Sequence, residues 1–184
     1  EWAAPLASGI SICGVSAAIA TGAAIRARPV VPIMVSSLVV VFAVVELLLL
    51  PFLAQSWLWQ EPLVAGAWMG LAVKTDGAAT AAGAITDALV LAKAAGQGIA
   101  YEKDWILNTA TSIKVFIDIF IGIWAFVLAY IWANHIEKRA GDKVRAIEIW
   151  QRFPKFILGY VLTFGLFLAL GLAAPSLIKT ESTV

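Results

Sequence analysis

Six ionisable residues, Glu46, Lys74, Asp76, Asp87, Lys114 and Asp118, fall inside long apolar runs of this sequence. A charged side chain at the centre of a bilayer costs about 2.5–3.5 kcal/mol on insertion scales, so such residues face a cavity or a partner. Lys114 and Asp118 are spaced i,i+4 and share one helix face. That spacing fits two roles. It neutralises the pair so that a helix can insert, or it lines a polar cavity in which Lys114 attracts an anion and Asp118 tunes or couples it. Lys74 and Asp76 stand two positions apart and point to different sides of a regular helix. They pair only where the helix is interrupted, and Gly77 follows at once with the backbone freedom an unwound turn requires. A half-helix starting near Gly77 would aim free N–H groups and its positive dipole end into such a cavity, which favours an anion. The plainer reading is an interfacial turn with both charges solvated. Glu46, a few residues before Pro51, suits the outer interface, and a proton-carrying role is the alternative.

The elements that carry these residues are membrane helices. Of the 184 residues, 61% are hydrophobic and 14% charged, against about 45–50% and about 25% in a soluble domain. The net charge of +1 gives no reason to invoke nucleic acid. The lone Cys13 excludes an internal disulfide and a cysteine-cluster metal site, and the lone His135 argues against a histidine metal site or a two-histidine haem. No nucleophile stands with a base beside it, so the chain reads as neither an enzyme nor a cofactor protein. Glu1 opens the chain without a basic stretch before an apolar one, so no signal peptide is visible.

A span needs about 20 apolar residues. The segments 2–24, 29–54, 105–133 and 156–174 meet that length, and 62–95 forms a further apolar region interrupted in its middle. Nothing alternates as barrel strands do, so the fold class is an all-α integral membrane protein of about five hydrophobic segments in one domain, one of them a broken helix. Trp2, Trp57, Trp59, Trp105, Trp132 and Trp150 fall near the proposed ends, as an aromatic belt does. The segment 135–155 carries Lys138, Arg139, Lys143, Arg145, Arg152 and Lys155 and is expected to be cytoplasmic, as are Arg26 and Arg28. These two assignments conflict if every segment crosses. The conflict disappears if 62–95 dips in and returns to its own side as two half-helices broken near Lys74–Gly77. Otherwise Arg26 and Arg28 do not set topology. The break favours the first resolution.

The runs SGISICGVSAAIATGAA and GAATAAGA offer little bulk to lipid and suit close packing against other helices. GISICGVSAAIA (9–20) resembles the signature of the bacterial sulfate exporter family, the YeiH-like membrane proteins. GAWMGLAVKTDGAATAAGAI is similar to that family's second motif, and NTATSIKVFIDIF (108–120) to its N-x-A-x-x-x-K helix, with Lys114 on the lysine. The resemblance implies a transporter of pseudo-symmetric repeats with broken helices and an anionic substrate, and it puts Ser11, Cys13, Gly14 and Lys114 at the central site. Two positions depart from the pattern. The family's histidine–glutamate pair falls on Lys74 and Thr75, which removes that proton relay or moves it to Asp76. Ile117 stands where a basic residue is usual. Members are longer than this chain, which implies that further spans are missing from it.

The expected function is transport of a small anion in the bacterial inner membrane, with the lipid bilayer and further helices of the same or other chains as partners. The candidate binding or coupling residues are Ser11, Cys13, Gly14, Lys74, Asp76, Gly77, Lys114 and Asp118, with no metal and no cofactor. The alternative is a transporter-derived structural subunit of a larger membrane complex with transport lost.

Overall fold

The computed structural model describes residues 1–136, 150, 151 and 155–173, the side chains of 156 and 157 aside. The regular elements among the described residues are all helical: α1 (Ala3–Ser11), α2 (Val15–Ala24), α3 (Val30–Trp57), α4 (Pro62–Ala72), α5 (Asp76–Gly96), α6 (Trp105–Ile131), a π-helical turn Trp132–Ile136, and α7 (Phe156–Ala173). The chain forms two compact units, Glu1–Phe153 and Pro154–Val184, where the sequence suggests one domain. The second contributes α7, an apolar helix. The basic residues Lys138, Arg139, Lys143, Arg145 and Arg152 lie outside the described residues.

Two long helices frame the first unit. The helices α3 and α6, the latter with its π turn, have mean hydropathy 2.8 and 2.2 over their most apolar windows and are long enough to cross a membrane. Their outer faces expose Ile33, Val41, Phe42, Leu48 and Leu49 of α3 and Phe116, Phe120 and Ile123 of α6. A continuous apolar face of this kind belongs against lipid or other membrane helices. This is a membrane protein.

Between the long helices lie two hairpins that enter from opposite ends. At one end Arg28 Nε donates to Glu1 Oε2 at 2.9 Å, which brings the start of α1 beside the exit from α2. A single straight helix of that length would hold those residues more than about 30 Å apart. The first apolar segment is therefore folded back on itself, an interruption that the sequence reading, with one span over 2–24, did not place. At the other end Gln55 Nε2 donates to the Leu89 carbonyl at 3.3 Å, Lys93 Nζ donates to the Gln55 carbonyl at 2.9 Å, and Tyr101 OH donates to the Gln60 carbonyl at 3.2 Å. The turn between α4 and α5 instead meets Glu46, where the Lys74 amide donates to Oε2 at 3.2 Å. Glu46 is about 14 Å along α3 from Gln55. The chain thus descends through α4 to the depth of Glu46 and returns through α5. The α5 helix is long and apolar enough to cross by composition, yet it starts in the middle of the bundle.

This return agrees with the resolution in which 62–95 comes back to its own side. The Trp132 ring packs against the same cluster as Ala24, Ile25 and Ala27, so the 132–136 turn leaves from the Arg26–Arg28 end.

The α6 helix is the seam for both hairpins. Its first half, with Ile106 and Ala110, packs in one cluster with Ala65, Met69, Val73, Ala79 and Ala82 of the second hairpin. Its later half, with Ile121, Ala125, Leu128 and Ala129, packs with Cys13, Ala17, Ala20 and Ala24 of the first. Small residues make the approach close: a Cβ on Gly70 would lie 2.5 Å from the Ala110 carbonyl oxygen, and one on Gly66 2.7 Å from that of Ile106. The start of α6 is capped by Asp87 of α5, whose carboxylate accepts the Asp104 and Ile106 amides at 3.1 Å each. That buried acid satisfies helix N–H groups that have no partner of their own.

Candidate functional site

The two hairpin tips meet halfway along α6. The first tip, Ile12–Gly14, turns on Gly14 at φ 73°, a conformation that favours glycine. A Cβ there would lie 2.6 Å from Val39 Cγ1 and 2.7 Å from the Lys74 carbonyl oxygen, so the two tips touch at this point. The second tip, Val73–Thr75, is extended: Val73 has ψ 122° and Thr75 has ψ 147°. Gly77 plays no part in that bend. It lies in the first turn of α5, and a Cβ on it would meet nothing within 4 Å. The interruption comes from the extended backbone of 73–75, not from glycine.

Lys114 sits between the tips and is 2% exposed. Its ammonium donates to the Val73 carbonyl at 3.1 Å and the Ile12 carbonyl at 3.3 Å. Ile12 and Val73 are the C-cap residues of α1 and α4, so two half-helix C-termini point at one cation. One turn further along α6 is Asp118. No ion pair links it to Lys114 among the described residues, and its Oδ1 is buried without a hydrogen-bond partner. The i,i+4 spacing thus does not make a self-neutralised pair. Asp118 turns instead toward Cys13 and Asp76: ligand atoms of the three lie within 4.8 Å of one another. A thiol and two carboxylates at that spacing could share a proton or hold a metal ion.

Lys74 and Asp76 do not pair either. Lys74 Nζ donates to the Leu71 carbonyl at 2.9 Å, closing the end of its own helix. Asp76 opens α5, where a negative charge suits the dipole. Lys74 and Glu46 also line a cleft of about 240 Å³ with Leu6, Ile10, Leu38, Val39 and Phe42. Glu46 is not an interfacial acid but the acceptor for a backbone amide that the broken helix leaves unpaired.

Of the sequence-predicted residues, Cys13, Gly14, Lys74, Asp76, Lys114 and Asp118 come together at the tips. Ser11 does not. It lines an apolar cleft of about 420 Å³ with Ala7, Ser8, Phe120 and Trp124, where Trp124 Nε1 donates to Ser8 Oγ at 2.8 Å. The Ile12 and Val73 carbonyls were missed. Backbone acceptors leave no mark in side-chain chemistry, and only the break itself points to them.

The family described as conserved hypothetical protein 698 matches residues 1–184. A UPF0324 membrane protein of Nitrosomonas europaea is 52% identical over 166 residues, 89% of this chain and 34% of that protein. An uncharacterized protein of Archaeoglobus fulgidus is 63% identical over 62 residues, 34% of this chain and 33% of its own length. A UPF0324 membrane protein of Nitratidesulfovibrio vulgaris is 36% identical over 162 residues, 88% of this chain and 25% of that protein. The chain thus spans about a third or less of these relatives. No solved structure matches.

Proposed function

We propose that this chain, which belongs to the conserved hypothetical protein 698 family, is part of a membrane transporter that moves a small anion by alternating access. The observation that carries the reading is the meeting of two hairpin tips, entered from opposite ends, at the buried Lys114. Unwound backbone at membrane depth is tolerated only where protein covers it or it lines a cavity, and transporters place substrate at such helix breaks.

The sign of the solute follows from the helix ends. The C-termini of α1 and α4 are taken by the Lys114 ammonium. The N-termini of α2 and α5 present their positive dipole ends at the tips, which favours an anion. Lys74 and Lys114 add positive charge close to the tips. The Cys13–Asp76–Asp118 cluster gives the site groups that can hold a proton while the anion is bound, which suits proton-coupled movement. In this reading the Arg26–Arg28 end faces the cytoplasm of a bacterial inner membrane, and sulfate is the first anion to try.

The full-length protein, reconstituted in vesicles loaded with labelled sulfate or a small carboxylate, should exchange label faster than protein-free vesicles. Lys114→Ala should abolish the exchange. A folded protein that moves none of these anions would overturn the transport reading, and unchanged flux in the variant would remove Lys114 from the mechanism.

A further inference from the structure

The geometry points to Lys114 as a resident cation, holding closed a carbonyl site that would otherwise suit a free monovalent ion. A buried ammonium is unfavourable unless its protons are taken up. Here the acceptors are not carboxylates. They are the Ile12 and Val73 carbonyl oxygens, one from each hairpin, and both belong to non-helical backbone at the end of a half-helix. Those oxygens have lost their own helical donors, and the negative ends of two dipoles converge on the same point. Unwound carbonyls with half-helix C-termini are the donor set that membrane transporters use for sodium. In this chain the charge at that point is covalently attached to α6.

Two consequences follow from attaching it. The tips are joined without any ion from solution, since a single Nζ bridges backbone from residues 12 and 73. The Asp118 carboxylate, one turn away and not paired to Lys114, also stays available to Cys13 and Asp76. Lys114 is on this view a positioning residue. It fixes where both tips stand, whether or not the site moves a solute.

Removing the side chain should convert the tethered site into an ordinary one. In the full-length protein in detergent, Lys114→Ala should lower the melting temperature. It should also raise the rate at which Cys13, 2% exposed in the parent, reacts with a maleimide by on the order of tenfold, as local opening of the tip requires. Labelling is read on the Cys13 peptide by mass spectrometry. Sodium, potassium or methylammonium chloride, but not N-methylglucamine chloride at equal ionic strength, should restore protection in the alanine variant and leave the parent unchanged. Lys114→Met, which fills the volume without a charge, should label as fast as alanine and respond to no cation. The proposal is overturned if small cations fail to protect the alanine variant, or if they protect the parent equally. If the alanine variant does not accumulate, the methionine variant decides: faster labelling supports a charge-held tip, and parental protection overturns it. None of these readouts is a flux, so a protein that transports nothing could still pass, and a transporter could still fail.

Discussion

The two hairpins share a plan and differ in how they turn. The first is short, with helices of nine and ten residues, and its tip is made by Gly14 at positive φ and the buried Cys13. The second has helices of 11 and 21 residues, and its tip is extended backbone carrying Lys74, with Asp76 opening the next helix. The first tip depends on the absence of a side chain. The second depends on charged ones, with Glu46 taking its amide and Lys74 closing its own helix. A steric turn and an electrostatic turn have thus been set against each other across one lysine.

That contrast breaks first at Gly14. Gly14→Ala forces a Cβ into positive φ, about 1–2 kcal/mol, and against both Val39 and the Lys74 carbonyl, about 1–3 kcal/mol more. Equilibrium unfolding in mixed detergent should register a loss of about 2–5 kcal/mol, and a loss near zero would mean that the tips do not touch. Asp87 tests the far end of the second hairpin. Asp87→Ala should destabilise by about 1–2 kcal/mol through the lost cap on α6, and Asp87→Asn, whose NH2 would face one of the two amide donors, should also lose stability; a loss near zero in both would show that capping is not its role. Gly77→Ala sharpens the comparison from the other side. This glycine is helical, exposed and uncrowded, so alanine should leave stability unchanged or raise it by about 0.5–1 kcal/mol. A marked loss there would return Gly77 to the bend.

Particular residues explain what could be read in advance. The interruption at 73–75 was legible because it carries charge: Lys74 and Asp76 have no place in a continuous apolar helix. Loop charge gave the return of the second hairpin, since only a re-entrant 62–95 puts Arg26, Arg28 and the 132–136 turn at one end. The interruption at 12–14 was not legible from pattern, because SICG sits among small apolar residues and alters neither hydropathy nor period. The Cys13–Asp118 approach joins positions far apart in sequence through α6 and has no local signature. Lys114 was found by its cost in lipid, but whether it pairs with Asp118 or lines a cavity stayed open. Spacing on the helix offered Asp118 as one partner, and the ammonium instead reaches sideways to two carbonyls that only the fold brings together. Glu46 and Asp87 were visible as charges, and their use, accepting stray amides from neighbouring backbone, depends on which helix ends arrive beside them.

One rod bears on both tips: Ile106 and Ala110 of α6 grip one hairpin, Ala125 and Ala129 the other, and Lys114 lies between the grips. The hairpins are therefore geared rather than independent. A slip of α6 by a single residue swings Nζ through about 100° and unseats both carbonyls in the same stroke, so whatever loosens one mouth of this molecule reaches the other through the same shaft.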